Sequence, residues 1–187
     1  MKVFYNVQYI DYINRISLVS IGLVREDGDS YYAVNKSLSA RHLLADPSLR
    51  AAVWTHLPTS GDRTLDSGHP DVKLRHRIAV EVAAFLADVP DLELWSWHAA
   101  YAHVSLCRLW GTEADLPDPV PDWTGDLRQE AHRLDIDPDD LPLQLTRRHH
   151  ALDAARYYLT LGRCLDAAAV ADLTEAPGGD RIAAVAR

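Results

Sequence analysis

Cysteine is nearly absent: Cys107 and Cys164 are the two in 187 residues. That excludes a disulfide framework, and a reducing cytoplasm is the expected setting. Basic charge is also short. Nineteen Lys and Arg face 27 Asp and Glu, a net charge of −8 with neutral histidines. Such a balance excludes coating of nucleic acid by bulk attraction, though not a nucleotide held in a local pocket. Charges interrupt every apolar segment, so no stretch reaches membrane-spanning length. The opening Met1–Asn6 has no apolar run followed by a small-residue cleavage site, and no targeting segment is expected. Internal repeats and long linkers are missing too. One domain is therefore expected over residues 1–175, with 176–187 as a mobile tail after the break at Ala176-Pro177-Gly178-Gly179.

What is there is an ordinary globular composition, 48% hydrophobic and 25% charged, long enough to bury a core without staples. Residues 3–10, 15–24 and 30–34 are rich in β-branched and aromatic side chains and predict three strands. Glu26-Asp27-Gly28-Asp29 is a turn signal between the last two, so the start reads as an antiparallel meander. Residues 37–57, broken by Pro47, predict one or two short helices, and 59–70 a loop. Leu74, Ile78, Val82, Phe85 and Leu86 share one helical face over 72–86. A short buried strand is expected at 92–97, a helix at 101–109, irregular chain through the prolines of 116–121, and a helix at 122–134. A loop at 138–145 is expected to lead into a further strand, followed by a long alanine-rich helix over 146–173. The order predicts an α/β fold, a mixed five- to six-stranded sheet flanked by helices.

Several short segments, in order and at matching spacing, resemble one family. Phe4-Tyr5-Asn6-Val7-Gln8-Tyr9-Ile10-Asp11 is similar to its first motif, Asp-x-Glu followed by an aromatic, Ile and Asp. Leu18-Val19-Ser20-Ile21-Gly22 and Tyr31-Tyr32-Ala33-Val34 match its next strands. Glu93-Leu94-Trp95-Ser96-Trp97 with Ala100-Tyr101-Ala102-His103-Val104 resembles its second motif, and His149, Ala151-Leu152 and Ala155-Arg156 its third. The family is the polyadenylate-specific exoribonuclease AS of actinobacteria, a DEDDh 3′-5′ exoribonuclease with an RNase H-like fold. The resemblance runs from residue 1 to about 156, with a poor match over about 36–90. It implies hydrolysis of RNA with Mg²⁺ or Mn²⁺, a dimer, and His149 as general base.

The departures carry more weight than the matches. Where the family has its four acidic metal ligands, this chain has Asn6, Gln8, Ala102 and Ala154. Paired divalent metals polarise the phosphate and activate water, and Mg²⁺ needs hard anionic oxygens. Asn6 and Gln8, at i and i+2 of a strand, still share a face, but amides are neutral. The expectation is therefore no metal cofactor and an idle His149, with no metal-bound water to deprotonate. Asp153 stands one residue before the needed position, about 100° away around a helix. Asp11 is present in the family as well and is not one of its ligands. Two amides and two alanines read as natural degeneration rather than a deliberate substrate trap.

His98, His103, His149 and His150 form no short-spaced pair on one helix face, and surface or core-edge histidines are the better reading than a transition-metal site. Arg147 and Arg148, near the start of the last helix, suit a phosphate or a solvated turn. Tyr9, Trp97, His98, Tyr101 and His103 are candidates for a substrate groove in which an aromatic stacks on a base. The leading functional expectation is a catalytically inactive exoribonuclease homologue that binds an RNA 3′ end or a nucleotide without metal. A structural or regulatory homodimer, or a dimer with an active paralogue, is the second. A surviving exoribonuclease or phosphoesterase with altered ligands is the third.

Overall fold

The computed structural model describes residues 1–13 and 15–175; the expected tail at 176–187 lies outside the described residues. Three strands open the chain: β1 (Lys2–Tyr12), β2 (Arg15–Arg25) and β3 (Ser30–Asn35). They pair antiparallel as a meander. The turn between β2 and β3 forms where its residues predict it. Gly28 donates its N–H to the Arg25 carbonyl at 3.0 Å and adopts φ 96°, which a side chain would disfavour.

Three short strands join in parallel: β4 (Val72–Lys73) beside β3, β5 (Glu93–Ser96) beside β1, and β6 (Gly125–Asp126) beside β5. The sheet order is β4-β3-β2-β1-β5-β6, a mixed six-stranded sheet. One strand is not where the sequence reading put it. Pro138–Asp140 is a 3-10 turn, and no strand follows it among the described residues; Pro138 and Pro142 remove ladder donors there. The edge position belongs to β6, where Gly125 lets the Trp95 ring lie against the backbone. A Cβ there would sit 2.6 Å from ring atoms.

The helices are α1 (Ala40–Ala45), α2 (Pro47–Ala52), α3 (Arg75–Ala87), α4 (Ala99–Cys107), α5 (Leu127–Arg133) and α6 (Ala151–Glu175). α3 begins later than predicted because Val72 and Lys73 pair with Val34 and Asn35. α6 begins at Ala151 rather than 146, so Arg147, Arg148 and His149 precede it. Asp126 starts two helices at once. Its Oδ2 accepts from Ala99 N–H at 2.8 Å, and its Oδ1 from Arg128 and Gln129 N–H at 2.9 and 3.1 Å; each is an otherwise orphaned helix donor.

Alternation along β1 feeds two layers. Val3, Tyr5 and Val7 pack with Ile78, Val82 and Leu86 of α3 and Leu106 of α4. On the other face Phe4 packs with Leu127, Ala154, Tyr158 and Leu161. Further along, Ile10 packs with Val34, Leu43 and Trp54 around α1 and α2. Phe4, Asn6, Gln8 and Ile10 share this face at a period of two. Asn6 and Gln8 thus occupy the seam between the α6 layer and the α1–α2 lobe. Trp95 and Trp97 both pack against the α6 layer. No helix among the described residues is long and apolar enough to cross a membrane.

Charge ties α3 to the sheet edge. Glu81 accepts from Lys73 at 2.6 Å, Arg77 at 2.7 Å and Tyr31 at 3.0 Å. Burial works to raise its carboxyl, but these three donors outweigh it and bring it down to about 2. A lowered carboxylate stabilises the fold above its unfolded value and loses that contribution as pH falls towards its folded value. Melting temperature should therefore drop between pH about 4.5 and about 2. In Glu81→Gln that limb of the pH profile should flatten; an unchanged limb in the variant would refute the assignment.

Candidate functional site

The seam holds a hydrogen-bonded amide chain. Gln8 Nε2 donates to Asn6 Oδ1 at 2.8 Å, and Asn6 Nδ2 donates to the Tyr158 hydroxyl at 3.0 Å. Tyr158 stands one helical turn after Ala154 on α6, and both belong to the buried layer over Phe4. Burial pushes the Tyr158 phenol up to about 12 even though Asn6 donates to it, so it stays protonated. Asn6 and Gln8 are themselves half-buried. A carboxamide carries two N–H donors; each of these uses one within the chain and retains one.

Gly22 brings α6 to this place. It is the residue opposite Asn6 in the β1–β2 ladder, and a Cβ there would collide with the backbone of Ala151 and Leu152. Its missing side chain lets the first turn of α6 lie directly on β2. Gly162 does the same further along, where a Cβ would run into the Phe4 ring.

Of the four positions expected to have lost a ligand, the structure brings Asn6, Gln8 and Ala154 to one face of the sheet. Ala102 is buried in the other layer, among Val3, Tyr5 and Val7. The donor set does not fit a pair of divalent cations. It offers two neutral amides, one with its oxygen already hydrogen-bonded, and two methyl groups. Nor do neighbours substitute. Asp153 is buried on an adjoining flank of α6, where Arg147 Nε donates to it at 2.7 Å and His150 lies 3.5 Å away. Burial works to raise its carboxyl, but Arg147, His150 and Arg156 outweigh that and hold it below the ordinary range. Asp11 is exposed at the far end of β1. Among the described residues no three His, Cys, Asp or Glu side chains gather as a metal site would require.

The remaining candidates are scattered. His149 and Arg148 are exposed. Tyr9 and Tyr101 stack at 6.0 Å with planes 10° apart, but Tyr9 follows the parity of Tyr5 and Val7, away from Asn6. His103 lies on that same side, where Thr124 Oγ1 bridges its Nδ1 at 2.6 Å and the Tyr5 hydroxyl at 2.9 Å. Burial pushes its imidazole below the usual value, against Asp122, which raises it. His98 starts α4 at a left-handed φ of 56°, with Trp97 edge-on at 5.9 Å. One residue, Tyr158, went unnoticed in the sequence. Tyr158 was findable, at i+4 from Ala154. His150 was set aside as a core-edge histidine; it is buried against Tyr32 at 4.5 Å, and burial with Arg147 lowers its imidazole.

No protein-family model matches the chain. A 3′-5′ exoribonuclease of Mycobacterium tuberculosis, strain CDC 1551, is 37% identical over 131 residues, which is 69% of this chain and 73% of that one. The counterpart from strain H37Rv matches equally. The chain belongs to the 3′-5′ exoribonuclease family. This exoribonuclease homologue also shares a fold with Escherichia coli exonuclease I, seen in a metal-free complex with single-stranded DNA. The TM-score is 0.50 at 12% identity, with 88% of this chain and 38% of that chain covered. The six-stranded sheet with its helices is thus the exonuclease, RNase H-like architecture.

Proposed function

We propose that this member of the exoribonuclease family, which resembles the polyadenylate-specific exoribonuclease AS in its motifs, has lost hydrolysis and holds an RNA 3′ end or a nucleotide without metal. The observation that carries this reading is the Gln8–Asn6–Tyr158 chain. At the positions where the resemblance puts anionic ligands, the side chains satisfy one another as neutral hydrogen-bonding groups. Carboxylates repel phosphate unless cations intervene, whereas amides do not. One N–H on each of Asn6 and Gln8 remains to donate to a phosphate oxygen, and hydrogen bonds to a charged acceptor are the stronger class.

His149 then has no proton to take and serves, at most, as a neighbour of the bound strand. The dimer reading is weaker. The apolar face of α6 is covered by its own sheet as far as Leu165, so that face needs no partner to bury it. Calorimetry with AMP and oligoadenylate tests the proposal. Affinity should be the same in Mg²⁺ and in EDTA. Asn6→Ala with Gln8→Ala should weaken AMP by about 10- to 100-fold, the equivalent of one or two charge-assisted hydrogen bonds. Absence of heat with both ligands would end the proposal, and metal-dependent release of AMP from RNA would favour a surviving enzyme instead.

A further inference from the structure

An open cavity of about 870 Å³ lies between α1, α2 and the segment 59–63. Arg41, Arg50 and Arg63 line it, all exposed. Among the described residues, ion pairs occupy Lys2, Arg25, Lys73, Arg77, Arg133, Arg147 and Arg156, but none of these three arginines. Arg75 and Arg108, which line another hollow, are likewise outside these pairs, but the α1–α2 cavity gathers three such guanidiniums, in a chain with net charge −8. The one acid lining the cavity is Asp62. Asp46, close by in sequence, is engaged as the cap of α2, accepting from Ser48 and Leu49 N–H.

The lining is built. Buried Trp54 forms its floor and donates Nε1–H to the Asp62 carbonyl at 3.1 Å. Segment 58–66 closes on itself through Ser60 N–H to the Thr64 carbonyl, Thr64 Oγ1–H to the Ser60 carbonyl and Asp66 N–H to the Pro58 carbonyl. The cavity also continues. Thr55 and Thr59 line it and a second cavity of about 670 Å³, which reaches His56 and, near the start of α6, Arg147, His150 and Arg156, together with the carboxylates Asp66, Asp71 and Asp153. The second hollow is mixed in charge, so the anion site is the first, where three arginines spread over α1, α2 and segment 59–63 suit successive phosphates better than a single one.

We propose that the α1–α2 cavity holds the sugar-phosphate backbone of single-stranded RNA, with Arg41, Arg50 and Arg63 each facing a phosphate. This rests on the reading that the ligand is RNA, but places a second contact away from the amide seam. Arginines that neutralise phosphates release counterions, so binding acquires a steep salt dependence of about 0.7 in slope per contact on a single strand. AMP is too short to reach both places.

The test compares labelled oligoadenylate, by anisotropy across a salt series, with AMP, by calorimetry. In R41A/R50A/R63A, oligoadenylate should bind on the order of 100-fold more weakly near 0.1 M salt, with the slope reduced by about 2. AMP affinity should not move. R41K/R50K/R63K, which keeps the charge, should keep the slope. Unchanged affinity and slope in the alanine variant would overturn the proposal, as would a lysine variant that behaves like the alanine one. So would wild type that ignores the oligomer, or an acidic peptide that competes as well as RNA. Wild type that gives no heat with AMP, with the oligomer result as expected, would sink the seam reading and leave this one standing, whereas AMP affinity lost only in the alanine variant would overturn the separation of the two places.

Discussion

Incubated with oligoadenylate and Mn²⁺, the wild-type protein should release no AMP above background, while Asn6→Asp, Gln8→Glu, Ala102→Asp and Ala154→Asp together should create metal-dependent release. The gain expected is at least about 10³-fold, or roughly 4 kcal/mol of barrier. The restored acids should also report on themselves before any turnover is measured. Ala102 and Ala154 are 6% and 1% exposed, so carboxylates there are desolvated and cost several kcal/mol when no cation offsets them. Without metal the variant should melt well below wild type, and Mn²⁺ should raise its melting temperature by linkage. The wild-type melting temperature should ignore Mn²⁺. Metal-dependent hydrolysis by the unmodified chain would defeat the inactive reading. A restored variant that neither binds Mn²⁺ nor gains activity would mean that these four positions do not converge.

Gly22→Val should disable both the fold and the site. The new Cβ meets backbone atoms of Ala151 and Leu152, which cannot rotate away as a side chain would. α6 must lift, and with it Ala154, Tyr158, Leu161 and Leu165 leave their layer. Overpacking costs about 1–3 kcal/mol even where a core adapts; displacement of a helix lies at or beyond the upper end. A loss of about 3 kcal/mol corresponds to a melting temperature lower by about 6–12 °C in a chain of this size. The lift also parts Asn6 from Tyr158, so AMP binding should fall in the folded fraction. Gly28→Ala is the contrast. It has open space around its missing Cβ and should cost only the left-handed backbone strain of about 1–2 kcal/mol, with AMP binding intact. Equal effects in the two variants would show that close approach of α6 is not what Gly22 provides.

Much of this molecule is written locally. The β1–β3 meander was legible because alternation and the Gly28 turn are short-range signals. α3 was legible because Ile78, Val82 and Leu86 repeat at helical spacing. The short buried strand at 92–97 was legible too, as β5, but the two-residue strands β4 and β6 were not: pairs such as Gly125 and Asp126 have no periodicity of their own and join the sheet only because β5 is beside them. The start of α6 was misplaced by five residues, since nothing in 146–150 by itself forbids helix.

The sequence alone determined the chemistry available at the seam, because Asn, Gln and Ala cannot supply anionic oxygen in any fold. It also determined that Asn6 and Gln8 share a face, since side chains alternate along every strand. Only the tertiary structure decided what those amides meet. Tyr158 reaches Asn6 from 152 residues away because two glycines let α6 settle on the sheet, and Asp153 is turned towards Arg147 by the pitch of that same helix. Distant contacts of this kind depend on packing between elements, which no local pattern encodes.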